Sequence, residues 1–491
     1  MQLTKNQLKR LFVTTLILCL GTFQEAFSQD IKVELPENNE LTIDQVIKLS
    51  VVNNPEVKRA ILSVENADEQ VKLAWSEVLP DVTSSASFTR NIEIPVNFVP
   101  ATFFDPNADP DELVPLQFGT DNNWQGGITV SQNIFRGEAI VGISSSSVFK
   151  SVQEEALRST IQQIITQSRK GFHAVLIAEE QLRLQEATIE RIEENLEENR
   201  SRYEAGLIEE YDVLRLEVQL ANQQPQLKDA QLSVEEAYRN LKELMALPLD
   251  LPLEIVGSLS EYQINNPAEG GNENETIYNL VEATPLPMLN EGEALDVMRN
   301  KRGDLRVLEV QQSLKDREIR AIKSRFLPTV TADYNLQWTA AQPGTPRPFE
   351  SAVRFQTLMV NVSVPIFTGF ERMANLNIAQ IEKRDLEVQE WAAEKTALNE
   401  YETTLERLRN LEETANARRQ AVDQAQRGYE IAVNRYENGV GSQLEVTEAE
   451  LQVREAELNY ALSVADYLNS KADFDLAIGM VPMIDETEYE F

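Results

Sequence analysis

The chain has 491 residues, with 80 acidic and 45 basic side chains, one cysteine and one histidine. Its formal net charge of −35 argues against nucleic-acid binding, because contacts to phosphates need basic patches. The single histidine, His173, has no candidate ligands near it in the sequence, which favours a packing or surface role over a metal site, and no cofactor is expected.

Residues 1–28 have the features of a secretory signal peptide. Three basic residues precede an apolar run at 11–20 that is too short to span a bilayer, and a small-x-small pattern ends at Ser28. Cys19 follows the bulky Leu18, which argues against lipid attachment, and removal of the signal leaves no thiol for a disulfide. Beyond the signal, no segment has the ~18 consecutive apolar residues of a transmembrane helix.

Residues 29–260 are predicted to form a first structural repeat of helix, two strands, long helix, tip and helix. The strands, at about 82–96 and 124–135, alternate apolar with polar residues, and a loop rich in Pro, Asp and Asn separates them. The tip is predicted at 203–212. After it, apolar residues recur at alternating steps of three and four, the spacing of a heptad seam, with a kink expected at Pro225.

A flexible acidic connector is predicted next, and the same order of elements then returns in a second repeat. The bounds are 261–292 for the connector, 293–480 for the second repeat, about 329–340 and 353–367 for its strands, 436–445 for its tip and 481–491 for a C-terminal tail.

The two predicted tips are copies of one another. Arg202-Tyr-Glu-Ala-Gly206 recurs as Arg435-Tyr-Glu-Asn-Gly439, and the alignment continues beyond it without a gap. A glycine that ends one helix shortly before the start of the next is typical of a tight helix–helix turn. Each copy is therefore predicted to be the end of an antiparallel helical hairpin.

The four predicted strands put apolar residues on one face and Thr, Ser and Asn on the other, so that Tyr334 and Val360 would face lipid and Asn335 a lumen. Such alternation over ~10 residues is typical of outer-membrane barrels. Four strands cannot close a barrel, since the smallest have about eight, and copies of the chain would have to pool their strands. The alternative is a small sheet packed on a helical core.

Several motifs that occur twice in this order resemble those of the TolC-like outer-membrane efflux proteins. They are the Arg-Tyr-x-x-Gly tips, the pairs Leu79-Pro80 and Leu327-Pro328, and the Ile-Phe-x-Gly strand exits that begin at Ile134 and Ile366. The resemblance implies an α+β membrane protein, in which long α-helical hairpins form a periplasmic tunnel and four β-strands per chain contribute to a trimeric 12-stranded outer-membrane β-barrel. It also implies passive conduction in an efflux or type I secretion system. The implied partners are two further copies, a periplasmic adaptor protein, an inner-membrane transporter and outer-membrane lipid.

The resemblance assigns three roles at the tips: acidic rings of the periplasmic aperture, latches that hold it closed, and turns that the adaptor contacts. In that order, the residues are Glu445 and Glu448, Asp212 and Tyr436, and Gly206, Leu207, Gly439 and Val440. Glu209 and Gly441 depart from the family pattern, so a different closing network is expected. For Asp212, capping of the following helix is an alternative role.

Two other classes of function are compatible with parts of the sequence. A periplasmic coiled-coil adaptor also has helical hairpins, but it normally has one hairpin between compact β-domains, whereas two hairpins with preceding strands are predicted here. An enzyme is not expected, because the sequence contains no nucleophile motif, phosphate-binding loop or cluster of His, Cys and carboxylates.

Overall fold

The structure, a computed structural model, describes residues 39–257, 259 and 289–482. The predicted signal peptide and most of the predicted connector and tail lie outside the described residues. The elements of the first half are β1 Glu40–Leu41, α1 Ile43–Asn53, α2 Pro55–Ser76, β2 Asp81–Arg90, β3 Val96–Pro100, β4 Leu113–Gln117, β5 Asn122–Phe135, α3 Gly137–Glu204, α4 Glu210–Leu244 and β6 Glu254–Ile255. Those of the second half are α5 Glu291–Lys301, α6 Gly303–Ser324, β7 Thr329–Gln342, β8 Val353–Ser363, α7 Glu371–Glu437 and α8 Gln443–Ile478.

Two very long helices set the shape of the chain. Helix α3 has 68 residues and α7 has 67, which makes each about 100 Å long at 1.5 Å per residue. Helices α3 and α4 form a first antiparallel hairpin, and α7 and α8 form a second. Pro225 lies inside α4 without ending it. Among the described residues, no helix combines the length and hydropathy needed to cross a bilayer.

A helix break precedes each long hairpin, and in both cases a side chain at the break holds the end of the hairpin's second helix. At the first break, Asn54 donates from Nδ2 to the backbone oxygen of Leu244 at 3.0 Å. At the second, Arg302 donates from Nη1 to the backbone oxygen of Ala477 at 3.1 Å. The glycine that follows, Gly303, packs so close to α3 that a Cβ atom there would lie 2.6 Å from a backbone nitrogen.

The largest hydrophobic cluster lies at the end of the hairpins away from their tips. It joins the apolar face of α1 to the middle of α3, the end of α4 and the second half of α8, with Val46, Phe172, Leu241 and Val464 among its buried members. The heptad seam predicted after the first tip therefore reaches a packed core at Leu241, and this core is narrow, as expected for packed helical rods.

A buried polar cluster fastens α3 to α8 beside this core. Arg169 is fully buried, and its Nη1 lies 2.8 Å from Oδ2 of Asp475, which also pairs with Lys471. His173 is fully buried on the same helix, with Nδ1 3.2 Å from Oδ1 of Asn469. His173 therefore has a packing role in the interior of the helical part.

Strands β2, β5, β7 and β8 form an antiparallel sheet in that order, so β2 and β8 are its free edges. The register puts similar residues side by side. One apolar row crosses the sheet through Val82, Val130, Tyr334 and Leu358, and the next row is polar, through Thr83, Thr129, Asn335 and Thr357. Within the polar row, the Thr129 hydroxyl donates to Oδ1 of Asn335 at 2.8 Å. Adjacent rows face opposite sides of a sheet, so the sheet has one apolar and one polar face at this level.

The first strand is shorter than the sequence pattern predicts. The strand predicted at 82–96 ends at Arg90, because the chain leaves the sheet at Asn91, whose backbone N–H donates to the oxygen of Asp121 at 2.8 Å. The segment predicted as a loop up to about residue 123 contains a hairpin of its own, since β3 pairs with β4.

The last strand also ends early. The strand predicted at 353–367 ends at Ser363, two residues before Pro365, which has no N–H for a further ladder bond. Val364 and Ile366 therefore lie beyond the sheet, although their spacing continues the apolar alternation.

Candidate aperture at the hairpin tips

Both hairpins turn through the same backbone geometry. Gly206 and Gly439 have φ angles of +76° and +72°, in the left-handed region that a side chain disfavours. In the first turn, the Leu207 N–H donates to the oxygen of Arg202 at 2.9 Å, and the equivalent bond of the second turn has the same length. This arrangement satisfies the free carbonyl groups at a helix end, and it explains why the glycine recurs at both tips.

The two glutamates assigned to the aperture lie exposed in the first turns of α8. Ser442 caps this helix, since its Oγ accepts from the Glu445 N–H at 3.3 Å. The Glu445 carboxylate is therefore not the cap, and its Oε2 lies 3.6 Å from Nη2 of Arg435. Glu448, three residues later and so on the same side of the helix, is exposed and has no ion-pair partner among the described residues.

Asp212 lies in the first turn of α4 but does not cap it. The N-cap is Glu209, whose side chain makes no capping bond, and the Asp212 N–H donates to the backbone oxygen of Glu209 at 3.1 Å. The Asp212 carboxylate has no hydrogen-bond or ion-pair partner within the described residues. The alternative capping role is therefore not seen, and Asp212 contributes negative charge where the helix dipole favours it.

Tyr436 joins the second hairpin to the first. Its hydroxyl donates to Oδ1 of Asn199 on α3 at 2.7 Å, and the guanidinium carbon of Arg202 lies 4.9 Å from the centre of its ring. Asn199 is buried. Tyr436 was predicted as a latch, but its contacts with these two α3 residues were not, because a contact over such a sequence separation leaves no local signal.

A second contact between the hairpins lies farther from the tips. Glu450 on α8 is 3% exposed, and its Oε1 lies 3.6 Å from Nε of Arg191 on α3, too far for a hydrogen bond. Burial raises the pKa of the Glu450 carboxyl, against the lowering effects of Arg191 and Arg454. Glu450 is therefore a buried carboxyl group between the hairpins. Its interactions with Arg191 and Arg454 do not fully offset the hydration that it loses on burial.

A third contact continues the series. Arg454 donates from Nη1 to Oε1 of Gln223 at 2.9 Å, and Gln185 donates from Nε2 to the same oxygen at 2.9 Å. Helix α8 is thereby tied to both helices of the first hairpin. Together the contacts of Tyr436, Glu450 and Arg454, at increasing distance from the tips, form a polar ladder between the two hairpins.

An exposed apolar row also runs from the first tip along the start of α4, and Leu207 is its only member among the predicted site residues. Leu207 lies in the turn before α4, and Tyr211, Leu214 and Val218 lie on α4 itself, at exposures of 74%, 68%, 50% and 60% in that order. Tyr211, Leu214 and Val218 follow one another at steps of three and four beside the predicted heptad seam through Val213, so their spacing alone does not distinguish them from that seam. The described residues contain no group of three or more His, Cys, Asp or Glu placed to hold a metal ion.

Comparison with known proteins gives one family for both halves of the chain. A model of the outer membrane efflux protein family matches residues 46–247 and 294–480. The chain is 21% identical over 423 residues to the probable efflux pump outer membrane protein TtgC of Pseudomonas putida, an alignment that covers 83% of this chain and 76% of that protein.

Solved structures of channels share the fold. The crystal structure of CusC superimposes with a TM-score of 0.69 at 16% identity, covering 89% of this chain and 92% of that chain. The outer membrane channel CmeC of Campylobacter jejuni gives a TM-score of 0.66 at 19% identity, covering 91% of this chain and 88% of that chain. At these identities the likeness concerns the fold alone.

Proposed function

The chain belongs to the outer membrane efflux protein family, and from that membership we propose that three copies pool their strands into one barrel and their hairpins into one tunnel. The resemblance drawn from the motifs is confirmed, as are the outer-membrane location and the role as an efflux channel. The adaptor alternative is not favoured, because the family match covers both halves of the chain.

The free edges of the sheet are the observation that carries the proposal. Strands β2 and β8 each have one neighbour in the protomer, and unpaired backbone groups in hydrocarbon cost several kcal/mol each. Pairing β8 of one copy with β2 of the next would satisfy both edges. Three copies of the four-stranded sheet give the proposed 12-stranded barrel, with the apolar row toward lipid and the polar row toward the lumen.

The helical part would form the tunnel below this barrel. Each half of the chain runs through two shorter helices, two sheet strands, a long helix and a second hairpin helix, which supports an origin in an internal repeat. Helix α3 begins directly after β5 and reaches its tip about 100 Å away at 1.5 Å per residue. The tips are therefore proposed to lie at the periplasmic end.

We assign the tips to the aperture and to partner binding. Three copies of Glu445 and Glu448 would form carboxylate rings that attract cations. Tyr436 would restrain opening through Asn199, and Asp212 would add negative charge beside it. The turn glycines, with Leu207 and Val440, would contact a periplasmic adaptor, which connects the channel to an inner-membrane transporter. In this role the chain conducts passively, and the transporter supplies the driving force.

The experiment is chemical cross-linking of the full-length protein in detergent, followed by recording in planar bilayers. We expect one dominant species of three chains and cation-selective conductance. A monodisperse monomer that still conducts ions would overturn the proposed assembly.

A further inference from the structure

The apolar face of the sheet carries two charged residues, and both are arginines. Arg90 is the last residue of β2 and Arg354 is the second residue of β8. Alternate residues of a strand share a face, so Arg90 lies on the face of Val82 and Arg354 on that of Leu358, which belong to one apolar row. The other residues that these four strands place on this face are uncharged. Because a charge is costly in hydrocarbon, the two arginines must lie where water or polar headgroups reach them.

Both arginines lie at the end of the sheet that is remote from the helical part. Strand β2 runs from α2 toward Arg90, and β8 runs from Arg354 toward α7. Arg354 is four residues from Leu358, about 13 Å along the strand at ~3.3 Å per residue, and the apolar band of a barrel is about 25 Å tall. Phe88 and Trp124, with ring centroids 4.3 Å apart, form an aromatic pair beside Arg90 on the same face, as is typical of a membrane interface. In the proposed barrel, the two guanidinium groups therefore lie at the level of the outer-leaflet headgroups.

Neither arginine has a partner in its own protomer. Both side chains are exposed, and within the described residues neither makes a hydrogen bond, an ion pair or a ring contact. Arg347 differs, since it lies in the turn between β7 and β8 and pairs with Glu350 at 3.1 Å. Because β2 and β8 are the free edges of the sheet, a partner for Arg90 or Arg354 has to come from a neighbouring copy or from the membrane.

The neighbouring copy places one arginine beside the other. If β8 of one copy pairs with β2 of the next along their whole length, with Ser363 opposite Asp81, Arg354 lies opposite Arg90. Opposite side chains have Cβ atoms about 4.5–5.5 Å apart. A shift of two residues, the smallest that keeps the apolar faces together, makes them diagonal neighbours at about 7–8 Å, within reach of long side chains. Two like charges at this separation destabilise the junction unless an anion lies between them.

The sheet itself supplies no such anion, because its apolar face carries no carboxylate. We propose that Arg90 of one copy and Arg354 of the next bind a phosphate group of an outer-leaflet lipid of the lipid A class. The inference rests on the proposed function, since it requires β8 of one copy to pair with β2 of the next. Guanidinium groups donate paired hydrogen bonds to phosphate oxygens. The acyl chains of the lipid then cover the apolar row through Leu358, which a free phosphate ion does not do.

The experiment measures the affinity of the full-length protein in detergent for diphosphoryl lipid A, and the thermal midpoint of the protein with and without it. Dephosphorylated lipid A and inorganic phosphate are the comparison probes. We expect diphosphoryl lipid A to bind roughly tenfold more tightly than the dephosphorylated lipid, and the double variant Arg90→Gln with Arg354→Gln to lose roughly that factor. Diphosphoryl lipid A should raise the thermal midpoint of the wild type, whereas inorganic phosphate at the same concentration should not.

Two further variants separate a binding role from a structural one. Arg347→Gln is the matched control, because Arg347 lies at the same end of the sheet but pairs with Glu350, and it should change lipid binding little. Arg90→Lys with Arg354→Lys keeps both charges without the planar guanidinium, so its affinity should lie between those of the wild type and the double Gln variant. Without lipid, the double Gln variant should form a trimer at least as heat-stable as the wild type, since two like charges are removed.

The inference is overturned by wild-type affinity in the double Gln variant, by equal weakening in Arg347→Gln, or by a less stable lipid-free trimer of the double Gln variant. An equal rise of the thermal midpoint with inorganic phosphate would show a site for a free anion and would also overturn it. The proposed function has separate readouts in cross-linking and conductance. A conducting trimer that does not distinguish the two lipids removes this inference alone, whereas a protein that neither forms trimers nor conducts removes the proposed function.

Discussion

The hydroxyl of Tyr436 donates a 2.7 Å hydrogen bond to Oδ1 of Asn199, across the boundary between the second and first hairpins. Asn199 is 1% exposed, so water cannot readily replace the hydroxyl. Leaving a buried acceptor without a donor costs about 1–3 kcal/mol. This bond therefore opposes separation of the tips by more than a bond at the surface would.

Tyr436→Phe removes the hydroxyl and keeps the aromatic ring beside Arg202. We expect the hairpins to separate more readily and single-channel conductance in planar bilayers to rise, in line with a loss of about 1–3 kcal/mol from the closed arrangement. The matched control is Tyr203→Phe at the equivalent position of the first tip, since Tyr203 is exposed. Equal increases in the two variants would show that the bond to Asn199 does not restrain the tips.

Glu450 gives the hairpin contact a dependence on pH. Because burial raises its pKa above the ordinary 4.5, the folded chain takes up this proton more readily than the unfolded chain. Protonation of Glu450 therefore stabilises the folded state relative to the ionised form. This stabilisation is fully present below the ordinary pKa and is lost as the pH rises through the raised pKa. Glu450→Gln does not titrate, so the thermal midpoint of the variant should rise relative to that of the wild type as the pH increases above 4.5.

Glu217→Gln is the matched control for this pH series. Glu217 holds the equivalent position in the first hairpin, but its side chain is 40% exposed and pairs with Arg200 at 2.7 Å. We expect the midpoint of this variant, measured by circular dichroism, to keep a constant offset from the wild type over the same range. The same pH-dependent offset in both variants would contradict a specific effect of the buried carboxyl.

Glu217 and Glu450 also show which features could be predicted from the sequence and which could not. Alignment of the two tips places Glu217 opposite Glu450, and the shared turns at Gly206 and Gly439 follow from that local pattern alone. Burial of Glu450 depends on α3 passing beside α8, and no feature of the second tip records that neighbour. Local turn chemistry could thus be predicted, whereas the contacts of the polar ladder could not.

Strand ends were predicted less well than strand faces, for a physical reason. Apolar alternation sets which side chains share a face, and the rows through Tyr334 and Asn335 follow it. A strand ends where its backbone hydrogen bonds to the neighbouring strand end. The apolar alternation in the sequence continues past both of these points, at Asn91 and at Pro365, and so does not mark them. The hairpin of β3 and β4 was missed because its short strands lie in a segment whose composition is typical of a loop.

The proposed barrel predicts opposite responses at adjacent positions of β8. Leu358 belongs to the apolar row and Thr357 to the polar row, both near the middle of the strand. Leu358→Arg would put a charge into lipid, at a cost of about 2–4 kcal/mol at the bilayer midplane, whereas Thr357→Arg would point into the aqueous lumen. We expect the first variant to be depleted from the outer-membrane fraction and the second to accumulate normally. Similar levels of both would show that the faces are assigned wrongly.

The carboxylate rings are expected to contribute unequally to ion selectivity. Glu445 lies 3.6 Å from Arg435, which offsets part of its charge, whereas Glu448 is exposed and has no ion-pair partner within the described chain. Glu448→Gln should therefore reduce cation selectivity and block by multivalent cations more than Glu445→Gln, and the double variant should reduce both further.

Single-channel recording in planar bilayers, with multivalent cations added on the side of the tips, measures both quantities. The control is Glu402→Gln, an exposed glutamate of α7 far from the tip, which should leave selectivity and block unchanged. Three copies of each glutamate at one axis can only act together if the tips converge, so the test also examines the proposed trimer. If the double variant keeps wild-type selectivity and block, the narrowest charged point of the channel lies away from α8.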